Sequence, residues 1–289
     1  MNKTKFSVDR GTNRPPGAMD KKRLIVRLKP FFALFMVLSL LFVTGGVAVI
    51  SAGNALMSER KALSPRQPDS LPGKGPLLTT EDEEYVAVRD MPDYVRQAFI
   101  AIEDHRFSSH FGIDPLSLVR ALLVDLRAGK MVQGGSTITM QLARNGFLTH
   151  EKTMNRKLKE MIIAINLERR YSKAEILGIY LNNIYFGHGE YGIEKAAHLY
   201  FGKTIRAHHG RQKTISLSEA AMLAALPKSP ELYSPIKNPE KALQRRNLVL
   251  KRMAELRMIT HEEMETAMEK DLSVVSDGFS DPEAEPKAG

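Results

Sequence analysis

The chain has 289 residues, no cysteine and a formal charge of +9. The absence of cysteine excludes a disulfide framework and thiol chemistry. Nine Lys/Arg against two Asp in residues 1–29 put +7 of that charge in the N-terminal tail, and the +2 left on the other 260 residues excludes a nucleic-acid-binding domain.

Residues 1–29 lack apolar periodicity and read as a disordered, cytoplasmic basic tail. Phe31 to Ile50 then runs for twenty residues without a charge. Twenty helical residues span about 30 Å, the thickness of a hydrocarbon core. Residues 30–52 are therefore expected to form one transmembrane signal anchor, with the N-terminus inside by the positive-inside rule. A cleaved signal peptide is the rival, since Ser51 to Ala55 offers small residues to a peptidase. Residues 53–80 read as a linker, 81–272 as one folded domain, and 273–289 as an acidic disordered tail.

Strand patterns are scarce, with a short one expected near Tyr85 to Val88. Tyr94 to Ile102 reads as an apolar helix, with Val95, Ala98, Phe99 and Ile102 on one face. Glu103 and Asp104 follow at its C-terminus. The helix dipole and apolar neighbours both disfavour an anion there and raise a carboxyl pKa, as a general base near neutral pH requires. On spacing alone, a solvated acidic pair is the commoner outcome.

Asp114 and Pro115 start a helix whose buried stripe is expected to be Leu116, Val119, Leu122, Leu123 and Leu126. Gly134 to Gln141 is a glycine-rich turn into a helix start, where free backbone N–H groups suit a phosphate. Arg144 to Lys173 carries a local +5. Within it, Met154, Leu158, Met161, Ile162 and Ile165 read as the core face of a helix. Glu160 falls off that face, with Arg156 and Lys157 one turn back, and by pattern reads as part of a surface ion-pair ladder. Capping boxes begin at Ser172, Ser216 and Thr260, Gly202 closes a helix from Ile193, and Asn238-Pro239 opens one running to Met258. The fold class is mostly α.

In order, Glu103-Asp104-His105-Arg106-Phe107 with His110, Gly112 and Asp114, then Gly134 to Gln141, then Arg156 to Glu160, then Lys173 to Lys203, and Leu217 to Pro235 resemble the five motifs of the family 51 peptidoglycan glycosyltransferases. That family includes monofunctional transglycosylases and the polymerising domain of class A penicillin-binding proteins. With no Ser-x-x-Lys nucleophile motif following, the chain resembles the monofunctional kind. The resemblance implies a lysozyme-like lobe that transfers a growing lipid-linked glycan to lipid II, with inversion and release of polyprenyl pyrophosphate. It implies residence on the outer face of the bacterial cytoplasmic membrane, and contact with other cell-wall synthesis and division proteins. Glu103 matches the family's base and Glu160 its second essential carboxylate, which either organises the basic cluster or holds a divalent ion such as Mg2+ at the pyrophosphate. Asp104, Phe107, His110, Ser136, Thr137, Gln141, Arg144, Lys152, Arg156 and Asn182 are the substrate-site candidates. Two departures stand out. Met140 replaces a groove glutamine, so Met140→Gln is expected to keep or raise activity, and Gly178 replaces a common Glu. A lysozyme-like hydrolase and a membrane-anchored helical scaffold are the alternatives; neither needs cations for a pyrophosphate.

Overall fold

The computed structural model describes residue 36 and residues 43–58, 85–128, 134–148, 154–207, 210, 212–271 and 274–275. The contact pattern divides the chain into two units, Met1–Val49 and Ile50–Gly289. In the first, the described residues are helical, and Met36, Val43 and Val47 are exposed. Most of the expected anchor, the basic tail and nearly all of the expected acidic tail lie outside the described residues. Among the described residues no helix is long and apolar enough to cross a membrane.

The second unit begins with a helix over 50–58 (α1), where Met57 enters the core and Arg170 donates to Asn54. The expected linker thus begins as packed helix. The chain then forms α2 (Asp93–Glu103), α3 (Pro115–Ala128), α4 (Ile138–Phe147), α5 (Met154–Arg170) and α6 (Lys173–Asn183). A hairpin follows, β1 (Tyr185–Gly187) with β2 (Glu190–Tyr191), pairing Tyr185 with Tyr191. Next come α7 (Ile193–Phe201), α8 (Leu217–Ala225), α9 (Pro239–Glu255) and α10 (His261–Glu269). All three capping boxes form, and Gly202 takes the left-handed conformation that ends α7.

Helix α8 is the centre of the core. Ala220 through Leu226 are fully buried, and an all-apolar helix of this kind needs cover on every side. Helices α2, α7, α9 and α10 supply it, while α4 packs on α5 and α6. Arg246 on α9 is buried and donates to the carbonyls of Met268 and Lys270, tying down the end of α10. Beyond α10, the Val275 N–H donates to the Tyr200 carbonyl, so ordered structure reaches past residue 272.

Three expectations change here, and one departure gains a reason. Tyr85 to Val88 is no strand: Asn182 on α6 accepts from the Val86 N–H and donates to the Val86 carbonyl, imitating a strand neighbour with one side chain. The α3 stripe is turned outward, with Leu116 and Leu126 68% and 70% exposed and Val119 and Leu123 exposed as well. On α5 the buried face is Glu160, Ile163, Ala164 and Leu167, while Leu158 is 53% exposed. Periodicity identifies a helix but not which flank meets its neighbours when apolar residues spread over more than one face. Finally, Gly178 has a packing reason: a Cβ there would run into the Tyr85 hydroxyl.

Candidate active site

Helix α2 ends on Glu103, whose side chain is half-buried. The Gln141 amide on α4 donates to Glu103 Oε2 at 2.8 Å, and the Tyr180 hydroxyl on α6 donates to Gln141 Oε1 at 3.3 Å. Burial pushes the Glu103 carboxyl above its ordinary value. The Gln141 hydrogen bond and the charges of Arg245, Arg144 and Lys228 pull it back without cancelling the effect.

Glu160 is only 1% exposed, which corrects the reading of a surface ladder. Arg156 Nη1 donates to Glu160 Oε1. Lys157 Nζ donates to Glu160 Oε2 at 3.1 Å and to Ser136 Oγ at 2.6 Å. A buried carboxylate needs such partners, and two cations one turn back on the same helix let α5 carry it inward. Burial, with Arg144 and Arg156 nearby, pushes the Lys157 ammonium down to about 8. Arg144 lies near enough to both Glu103 and Lys157 for its charge to bear on each. Glu160 is engaged by cations in this structure. Both its oxygens face cations, and among the described residues no three His, Cys, Asp or Glu gather in reach of one ion.

Two N–H groups at the start of α4, next to the glycine-rich turn, are taken up inside the protein. The Thr137 side chain caps α4 by accepting from the Met140 N–H, and Asp104 Oδ2 accepts from the Ile138 N–H. Thr137 also donates to the Gly112 carbonyl at 2.6 Å. Gly112 sits at φ +82°, with the Ala164 carbonyl 2.9 Å from where a Cβ would be, so glycine is required there.

Several expected contact residues are likewise internal. Asp104 is buried and joins the end of α2 to the start of α4; His110 Nε2–H donates to it at 2.9 Å. Phe107 is 2% exposed, beneath the Lys173 ammonium at 4.3 Å. Asn182 is buried against Val86. These residues, with Thr137, hold the site together from behind. Ser136, Gln141, Arg144 and Arg156 stay at its surface, half-buried. Lys152 lies outside the described residues.

Met140 is fully buried rather than in a groove. Met140→Gln should therefore lower stability by about 1–3 kcal/mol, the cost of an amide buried without partners. A thermal melt checks this; an unchanged midpoint would put residue 140 back at the surface.

A second cation group was not anticipated. A cleft of about 410 Å³ opens beside Glu103, lined also by His105, Ser117, Arg120, Leu248 and Arg252. Arg245 and Arg252 lie seven residues apart with Leu248 between them, and that spacing on α9 is the signal that could have found them. Lys228, just after α8, completes the set acting on Glu103. Arg245, Arg144 and Lys228 are the cations whose charge bears on the carboxyl.

A family model described as transglycosylase matches residues 74–254. The chain belongs to the transglycosylase family. It is 50% identical over 223 residues to penicillin-binding protein 1A of Aquifex aeolicus, covering 75% of this chain and 30% of that protein. It is 43% identical over 257 residues to penicillin-binding protein 1F of Bacillus subtilis, covering 88% of this chain and 34% of that protein. The chain thus spans about a third of the length of these relatives. A crystal structure of penicillin-binding protein 1A from Haemophilus influenzae aligns with 67% of this chain and 18% of that one, at 24% identity and a TM-score of 0.39.

Proposed function

We propose that this transglycosylase polymerises peptidoglycan glycan strands, moving a growing lipid-linked glycan onto lipid II. The observation that carries the reading is the Glu103 carboxyl in its cleft, its pKa raised by burial, with Arg245, Arg144 and Lys228 near enough for their charges to bear on it. The acceptor 4-hydroxyl gives its proton to Glu103 as its oxygen bonds to the donor C1. The C1–O bond to the polyprenyl pyrophosphate breaks with inversion. Negative charge grows on the pyrophosphate, and Arg144, together with Arg156 and Lys157 held in place by Glu160, stabilises it. A hydrolase needs a base but not this anion site, and the cation cluster is the reason to prefer transfer.

The fold assigned to residues 81–272 is the lysozyme-like glycosyltransferase lobe, which the helical content and the family membership support. The location assigned is the outer face of the cytoplasmic membrane. Its support is the uncharged run from Phe31 to Ile50 behind a basic flank, and the exposed apolar side chains of α3.

The test is incubation of purified protein with lipid II. Polymer with released polyprenyl pyrophosphate is expected. Free disaccharide products without polymer would favour the hydrolase, and no reaction would favour the scaffold.

A further inference from the structure

We infer that Tyr180 is a positioning residue for the general base: its O–H holds the Gln141 amide in the one orientation that presents N–H to Glu103. The inference rests on the function proposed above and concerns a residue without a role in that mechanism.

The geometry is a chain of three side chains from three helices. Tyr180 on α6 donates to Gln141 Oε1, and Gln141 on α4 donates to Glu103 Oε2 at the end of α2. Tyr180 is fully buried, so it does not touch substrate. Its hydroxyl is pushed well above the ordinary tyrosine value by burial and then by Glu103, so it remains a donor at every working pH.

A glutamine amide has two ends of opposite character. With the NH2 toward Glu103, it stabilises the carboxylate. With the carbonyl toward Glu103, it repels the carboxylate and accepts from the protonated acid. The two orientations therefore favour opposite protonation states of the base. Tyr180 decides between them, because a permanent donor at the far end of the amide selects the carbonyl for itself. The other charged groups facing this chain do not choose an orientation. Arg144 on α4, Arg245 on α9 and Lys228 after α8 act on Glu103 as charges. Asp104 is occupied by His110 and the Ile138 N–H.

Tyr180→Phe keeps the ring in the core and frees the amide to turn. Glu103 then holds its proton more tightly. The acid limb of kcat/KM should move up by about one pH unit, as expected for one lost hydrogen bond to a charged group. KM for lipid II well above the limb should stay as in the parent. Gln141→Met removes the donor outright and should raise the limb by itself. In the double variant, Tyr180→Phe should add nothing, since it acts through Gln141. The measurement is the rate of lipid II polymerisation against pH for the four proteins, with circular dichroism to confirm folding.

A limb unmoved in Tyr180→Phe overturns the inference. So does a limb unmoved in Gln141→Met, which decides the matter even if Tyr180→Phe fails to fold. So does a further shift from Tyr180→Phe in the Gln141→Met background. A parent protein that makes no polymer overturns the proposed function and this inference with it. A parent that polymerises beside variants with unmoved limbs overturns only the inference.

Discussion

Glu103→Gln should abolish nearly all polymer formation, by about 10²–10⁴ in rate, while leaving the protein folded. The amide keeps the size of the side chain but cannot take the proton from the acceptor hydroxyl. The fold should survive because burial already disfavours charge at this position. Helix α2 is held through Val95, Ala98, Phe99 and Ala101, none of which the substitution touches. The variant should bind lipid II, because the Glu160 cluster and the second cation group remain. Native circular dichroism, retained binding and lost turnover are the expected set. Turnover close to the parent's would remove Glu103 from the mechanism.

Glu160→Gln should be nearly as damaging, for a different reason. Glu160 is the buried anion to which Arg156 and Lys157 both donate. An amide offers one acceptor and turns its NH2 toward the other cation. Removing one member of a buried ion group typically costs 3–5 kcal/mol. About 3 kcal/mol is expected here, since Arg156 and Lys157 are 19% and 29% exposed and can turn toward water. Polymerisation should fall by about 10²-fold as the cations lose their places around the leaving group. A melting curve and a turnover assay well below the melt separate the two effects. A variant with parent stability and parent rate would return this helix to a solvated ion-pair ladder.

What the sequence made legible was local. Helix starts at Ser172, Ser216 and Thr260 are capping boxes, and a capping box is complete within four residues. The end of α2 at Glu103, and the reason its carboxyl should be hard to ionise, follow from one apolar helix. Helix rotation was not legible. The stripes on α3 and α5 are real, but which flank is covered depends on partners far along the chain. The buried side chains of the first motif show the same limit. Asp104, Phe107 and His110 stand in one short segment with Glu103, and nothing in the spacing says that these three are buried while Glu103 is half-exposed. Arg245, Arg252 and Lys228 come from the other end of the domain, and only packing brings them to Glu103. Met140 beside Gln141 is the plainest case: adjacent residues on one helix, one in the core and one bonded to the base.

The most direct test of the account is the pH dependence of lipid II polymerisation by the parent protein. Glu103 must be ionised to accept a proton, and burial raises its pKa, so activity should be lost on acidification at a pH above the ordinary glutamate value of 4.5. Lys157 must be protonated to steady the pyrophosphate, so a second limb should appear on the alkaline side near 8. The acid limb should be missing from the residual rate of Glu103→Gln. An acid limb at or below the ordinary glutamate value, or one that persists unchanged in Glu103→Gln, would contradict the assignment of this carboxyl as the base.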